Sequence, residues 1–254
     1  MIGCRKRHFE QCASTNDVAA TWARDIHDPA PHGGVVIADS QTAGRGRLGR
    51  AWHSPAGENL YFSCVLRPDL PAERVPPLTL CAGLAVCEVV NSLGVPASIK
   101  WPNDVWVGDN KLAGVLTEMS TRSQSVESVI VGVGVNVNAT DFPSDLPATS
   151  LRIETGEDHE RSGLLDAMLS AMEGWLQRYT THGVPALASA FAEHNLLGGR
   201  DVRVRVSGQV IAGRVLGLGD DGSLLIADSA GDEHKIIAGE VHLLSDALPQ
   251  GAKL

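Results

Sequence analysis

The chain has 254 residues, 43% hydrophobic and 20% charged, enough apolar mass for one large domain or a main domain with a small companion. Its 21 Lys+Arg against 30 Asp+Glu give a formal charge of −9, which excludes a globally basic nucleic-acid-coating surface but leaves a local basic patch open. No stretch approaches the roughly 18 consecutive apolar residues that span a bilayer, and the N-terminal MIGCRKRHFEQC has no apolar run after its basic residues, so neither a span nor a secretory signal is expected.

In chain order, residues 14–27 predict a helix, with Ser14 or Thr15 as its cap and Val18, Trp22 and Ile26 at helical spacing. The apolar run Val35 to Ala38 predicts a buried strand leading into a Gly/Arg-rich loop from Gln41 to Arg50. A strand is expected from Asn59 to Leu66 and a helix from Leu78 to Leu93. Ile99 to Trp101 and Val105 to Val107 flank a turn at Pro102-Asn103-Asp104, and Gly108-Asp109-Asn110 reads as a hairpin turn into Lys111 to Glu118. Val126 to Val137 is the most β-branched strand. A Pro-rich loop, Phe142 to Ala148, precedes helices at about 161–181 and 184–195. After Gly198-Gly199 the texture changes to short alternating strands at 202–206, 210–218, 224–227 and 235–237, which suggests a small β-barrel and a boundary near residue 197.

Four segments are candidates for chemistry. Gly44 to Gly49 formally matches G-x-G-x-x-G, but Pro55 and Gly57 follow where a helix should open, and no acidic residue ends a second strand at the expected distance, so a dinucleotide site is rejected. The loop instead sets Arg45, Arg47 and Arg50 on a glycine-rich backbone. Glycine allows close approach of main-chain N–H groups, and arginine forks match phosphate or carboxylate oxygens in pairs, so an anion site is expected. Lys100 to Asp104 is either an Asx turn between strands or a place where Asn103 and Asp104 order a metal or a ribose. Lys111 at the head of an apolar strand either marks a strand end at solvent or directs a point charge at a carboxylate or phosphate. Gly132 and Gly134 inside a strand signal a bulge or the close approach of a ligand. There is no G-x-S-x-G, P-loop, H-E-x-x-H or paired Cys/His spacing, so ordinary hydrolase and zinc chemistries have no support. The five cysteines, Cys4, Cys12, Cys64, Cys81 and Cys87, are odd in number and lack a C-x-x-C, which reads as reduced thiols in a cytoplasmic protein.

Together these segments resemble the biotin–protein ligases, the biotin–[acetyl-CoA-carboxylase] ligases. The match runs through Ser14-Thr15-Asn16, Gln41 to Arg47, Arg50 with Trp52, Lys100 to Asp104, Lys111 to Glu118, and Gly132 to Asn136, nearly the whole chain in the family's order. The resemblance implies an α+β fold: a mixed-sheet, class II synthetase-like catalytic domain over 1–197, then a small SH3-like β-barrel over 198–254. It also implies a two-step reaction that uses ATP and Mg²⁺. Biotin carboxylate attacks the α-phosphate to give biotinyl-5′-AMP and pyrophosphate, and a lysine of the biotin carboxyl carrier protein then takes the acyl group. Such a reaction needs positioning, charge neutralisation and exclusion of water more than a protein nucleophile.

Carried onto this sequence, Ser14, Thr15 and Gln41 would hold the ureido end of biotin, and Asn16, Gly46 and Gly132 would belong to its pocket. Gly44 and Gly114 would allow backbone approach. Arg45 and Arg47 would hold the carboxylate and phosphates, and Arg50 and Asn103 would serve the ATP side. Lys111 would grip the carboxylate or acyl-phosphate oxygen, Trp52 would stack on adenine, and Asn136 would contact the nucleotide or its metal. Asp104 would order the site or the attacking amine, and no residue is assigned as a metal ligand. Some family members carry an N-terminal DNA-binding winged helix. Here Ser14-Thr15-Asn16 begins too early to leave room for one, so no DNA binding is expected. Either a monomer or a homodimer paired at a sheet edge is expected. Lipoate–protein ligases also make acyl-adenylates, but their Arg-Arg-x-x-Gly-Gly-Gly loop is absent. A binding module without turnover would have lost the Arg or Lys positions, which are all present.

Overall fold

The computed structural model describes residues 1–123, 125–206 and 208–244. Strands β1 (Arg5–Cys12), β2 (Gly34–Gln41), β3 (Leu60–Leu66), β4 (Ala97–Lys100), β5 (Asp104–Val107), β6 (Asn110–Arg122) and β7 (Ser125–Val135) form one sheet in the order β1-β2-β3-β7-β6-β5-β4. The β1–β2 pair is parallel and the others are antiparallel, so the sheet is mixed.

Side chains alternate across a strand, so each strand serves two faces. Val36, Val65 and Ile130 pack against Ala19, Trp22 and Ala23 of helix α1 (Thr15–Ala23). Their neighbours Val35, Cys64, Val129 and Val131 point the other way, into the core made with α2 (Leu78–Ser92) and α4 (Arg161–His182). Both faces are covered, and every residue of β3 is buried, which is why it reads as an unbroken apolar run. Helix α2 is apolar almost all round because it is wedged between sheet and α4. A Leu84→Ala cavity there would cost about 2–5 kcal/mol. By length and composition the segment Ala72–Ser92 could cross a bilayer, but 72% of its apolar window is buried in this core.

Beyond α3 (Leu151–Thr155), α4 and α5 (Pro185–His194), the chain enters a second, five-stranded antiparallel sheet. Its strands are β8 (Asp201–Val206), β9 (Gln209–Leu218), β10 (Leu224–Ala227), β11 (Glu233–Ile236) and β12 (Glu240–Leu243), in the order β11-β10-β9-β8-β12. It docks onto the first part through Trp101, whose Nε1 donates to Gly222 O at 3.1 Å, and through β12, which meets the Gly/Arg loop.

Four features depart from the sequence reading. The first helix ends at Ala23, and Ile26 is 86% exposed rather than part of an apolar stripe. The Asp25 carboxylate accepts from the N–H groups of His27 and Asp28 and turns the chain away. Strand β1 was not foreseen, because it is a charged edge paired on one side only, with Arg5 and Arg7 on Asp28 and Lys6 on Asp166. The short α3 was also missed, although Ser150 caps it and Gly156 closes it at φ 79°. So was β12.

Candidate active site

Period two along β7 places Ile130, Gly132 and Gly134 on the α1 face. Ser63 of β3 and Leu116 of β6 pair with Gly132, and Tyr61 and Gly114 pair with Gly134. Two side-chain-free positions in β7, with Gly114 beside one of them, lower this face of the sheet into a trough. The loop from Gln41 and the start of α1 close over it.

At one end lies a cluster of hydroxyls and amides. Ser14 is buried, in extended conformation ahead of α1, and its hydroxyl makes no capping bond. Gln41 Oε1 accepts from Thr15 N at 2.9 Å and Thr15 Oγ1 at 3.2 Å, while Gln41 Nε2 donates to Ser54 Oγ at 3.1 Å. Gly44 is held to glycine by space, since a Cβ there would stand 2.7 Å from both Ser54 Oγ and Trp52 O. Asn16 is consumed by the protein: Nδ2 donates to Leu116 O at 3.3 Å and Glu118 Oε2 at 2.6 Å, and Oδ1 accepts from Ser63 Oγ at 2.6 Å. Gly132 faces this amide, and a Cβ on it would stand 2.0 Å from Asn16 Oδ1.

In the centre, the Trp52 indole lies over Gly114 and Gly134, with a buried Nε1 that has no acceptor among the described residues. Lys111 Nζ sits 5.1 Å from the Trp52 ring centroid and 2.7 Å from Asp104 Oδ1. The Lys111 backbone is pinned on both sides, its N–H to Pro147 O at 2.8 Å and its carbonyl to Thr149 N at 3.0 Å. Asn136 supports that pinning rather than the trough, because its Nδ2 donates to Thr149 O at 2.9 Å.

The Gly/Arg loop forms the other end. Gly46 N donates to Arg50 O at 2.7 Å and Trp52 N to Gly44 O at 2.9 Å, closing a tight hairpin that exposes Leu48 at its tip with φ 57°. Arg45 lies on Asp17 at 2.6 Å and Glu118 at 3.1 Å, contacts led by the Asp17 hydrogen bond that raise its pKa further. Arg50 pairs with Glu240 of β12. Arg47 differs: its guanidinium donates to Asn103 Oδ1 at 3.1 Å and Gly239 O at 3.3 Å, both neutral acceptors. Burial holds its pKa below the usual arginine range, partly offset by the charge of Asp104. A half-buried guanidinium bonded to neutral acceptors favours an anion.

The fold thus brings Thr15, Gln41, Gly44, Trp52, Asp104, Lys111 and Gly114 around one trough, with Arg47 at its loop end. Gly132 lies in its floor beneath the Asn16 amide, and Asn16 and Asn136 stand one contact away. Reasoning from sequence missed Ser63, Asp17 and Glu118. Ser63 had a signal, a lone hydroxyl in the apolar strand LYFSCVL.

Residues 8–136 match the biotin/lipoate A/B protein ligase family, and residues 197–244 match the biotin protein ligase C-terminal domain. This chain belongs to the biotin/lipoate A/B protein ligase family. Within it, the chain is similar to biotin enzymes. It is 38% identical over 237 residues to the bifunctional ligase/repressor BirA of Bacillus subtilis, covering 90% of this chain and 73% of that protein. It is 35% identical to the biotin–[acetyl-CoA-carboxylase] ligase of Mycobacterium tuberculosis, covering 91% and 86%. In structure it superposes on the Aquifex aeolicus biotin protein ligase in complex with biotin and ATP, with a TM-score of 0.83, 32% identity, and 94% and 98% of the two chains covered.

Proposed function

We propose that this chain is an ATP-dependent biotin–protein ligase. It activates the carboxylate of biotin as biotinyl-5′-AMP with release of pyrophosphate. It then transfers the biotinyl group to a lysine of the biotin carboxyl carrier protein of acetyl-CoA carboxylase or a related carboxylase. The observation that carries this reading is the half-buried Arg47, bonded to the neutral acceptors Asn103 Oδ1 and Gly239 O and in no ion pair among the described residues, at the loop end of a trough whose other end is lined by Thr15 and Gln41.

In this reading Ser14, Thr15 and Gln41 hold the ureido end of biotin, and the apolar trough takes its chain. Lys111 holds one carboxylate oxygen. The other oxygen attacks the α-phosphorus while Arg47 spreads the charge on the phosphate oxygens, and the bond to the departing pyrophosphate breaks. Trp52 leaves its orphaned position over the glycines to pack on the adenylate, its buried Nε1 gaining a partner. In the second step a carrier lysine, as free amine, attacks the acyl carbon and AMP leaves. Asp104, beside Lys111, orients that amine and accepts its proton. Among the described residues no cluster of three or more His, Cys, Asp or Glu forms a cage. Mg²⁺ bound together with ATP would neutralise charge on the phosphates at the Arg47 end of the trough, and no residue is assigned as its ligand.

We further read 1–197 as a class II synthetase-like catalytic domain and 198–254 as an SH3-like β-barrel, of which residues 245–254 lie outside the described residues. The switch from mixed to antiparallel sheet after α5 supports that division. Five free thiols, three of them buried, support a reducing, cytoplasmic setting.

The test is transfer to the acceptor. With ATP, Mg²⁺ and biotin, purified biotin carboxyl carrier protein is expected to gain one biotinyl group by intact mass, and a carrier lacking its acceptor lysine is expected to gain none. An unmodified carrier would overturn the assignment.

A further inference from the structure

Arg45 is the loop arginine that the trough does not see. Both its outer nitrogens rest on carboxylates, Nη1 on Asp17 at 2.6 Å and Nη2 on Glu118 at 3.1 Å. Its backbone bridges Ala51, next to the Trp52–Gly44 bond that closes the hairpin. Where Arg45 stands therefore sets the base of the loop that carries Arg47 and Trp52.

Glu118 also has a second partner. Its Oε2 accepts from Asn16 Nδ2 at 2.6 Å, and Asn16 is 3% exposed. Asn16 Oδ1 accepts from Ser63 Oγ, which lies 2.8 Å from Thr15 Oγ1, and Thr15 is held by Gln41. A hydroxyl has one proton, so Ser63 serves either Thr15 or Asn16 at a given moment. The chain Gln41–Thr15–Ser63–Asn16–Glu118–Arg45, buried at Thr15, Ser63 and Asn16 and open to solvent at Arg45, thus joins the two ends of the trough through hydrogen bonds and an ion pair, with Ser63 bonding one of its two neighbours at a time. Gly132 exists in this arrangement to admit the Asn16 amide, which any Cβ would displace.

We propose that Glu118, assisted by Asp17, is a positioning residue: it sets Arg45 and the anion loop, and through Asn16 it ties that setting to the biotin end of the trough. The proposal rests on the ligase reading above. The two functions of Glu118 are separable. Its charge holds Arg45, and its acceptor oxygen holds Asn16. Glutamine keeps an acceptor oxygen and loses the charge, whereas alanine loses both.

The experiment uses the full chain with Glu118→Gln and Glu118→Ala. It measures biotin affinity by titration calorimetry, biotin-dependent ATP–pyrophosphate exchange, and trypsin cleavage after Arg45, Arg47 and Arg50 without ligand. Glu118→Gln is expected to lower exchange kcat about tenfold and to speed loop cleavage several-fold, with biotin KM and Kd within about twofold of the parent. Glu118→Ala is expected to raise biotin KM and Kd about fivefold in addition. Equal effects of Gln and Ala on biotin binding, or kcat and cleavage both within about twofold of the parent, would overturn the proposal. Should Glu118→Ala fail to fold, Asp17→Asn tests the Arg45 half and is expected to lower kcat and speed cleavage with biotin KM unchanged. Absence of exchange in the parent would sink the ligase reading alone. The cleavage rates of Glu118→Gln would still decide the clamp.

Discussion

Trp52 lies against the bare Cα of Gly134, so closely that a Cβ there would stand 2.5 Å from the indole Nε1. The ring occupies a trough where glycine interrupts the sheet, and its N–H is buried there without an acceptor among the described residues. A side chain that fills apolar space but leaves a polar atom unsatisfied is poised to be exchanged for a ligand.

Gly134→Ala is accordingly expected to push Trp52 off the sheet while sparing the strand, since Gly134 is not among the positive-φ glycines. Stability is expected to fall by about 1–3 kcal/mol, the usual range for overpacking, with a red shift of tryptophan fluorescence. Denaturant melts with fluorescence and circular dichroism check this. An unshifted spectrum would mean that the ring does not rest there.

Lys111 donates the trough's central charge, and its backbone is pinned by Pro147 and Thr149, so a substitution removes the ammonium without loosening the strand. Lys111→Ala is expected to lower the rate of adenylate formation by roughly 10²–10³, the scale on which a single aimed donor acts. Its thermal midpoint is expected to stay near the parent's. Single-turnover kinetics with calorimetry separates the two effects.

In the second sheet, burial works to raise the pKa of Asp221, but Ser223 and Lys235 outweigh it and bring the carboxyl down to about 2. A carboxylate lowered on folding stabilises the native state above its ordinary value of 3.8 and loses that contribution as pH falls through about 2. Asp221→Asn is expected to flatten that part of the acid-unfolding curve, with a small amplitude because the side chain is 43% exposed. Chemical unfolding at a series of pH values measures it.

Burial pushes the Cys64 and Cys87 thiols up to about 12 and raises Cys81 as well, so none supplies thiolate near neutral pH. Iodoacetamide at about pH 8 is expected to label exposed Cys4 first and Cys12, whose pKa burial and Asp17 raise, more slowly. The three buried thiols are expected to react only after unfolding. Peptide mass mapping over time checks the order.

The elements that sequence reading located are those whose own residues carry the pattern. β3 is apolar because every residue of it is buried, α2 because most of its surface is, and the Gly/Arg loop is visible because glycine and arginine serve it locally. β1 was illegible because its energy lies in pairing with β2 and in ion pairs to Asp28 and Asp166, not in hydropathy. The same divide runs through the site. Arg45, Arg47, Arg50 and Lys111 stand out in the sequence, but the carboxylates that Arg45 and Arg50 meet do not. Arg45 meets Asp17 across 28 residues and Glu118 across 73, and Arg50 meets Glu240 across 190, separations that only the folded sheet closes. Asn16 and Gly132 lie far apart in the chain, and only the contact between them shows that each answers to the other.

The most direct test of the account is mass spectrometry of the small-molecule product formed from ATP and Mg²⁺ with biotin or lipoate supplied separately. The account predicts biotinyl-AMP with biotin, no adenylate with lipoate, and loss of the product in Lys111→Ala. Lipoyl-AMP, or no adenylate from either acid despite measurable biotin binding, would contradict it.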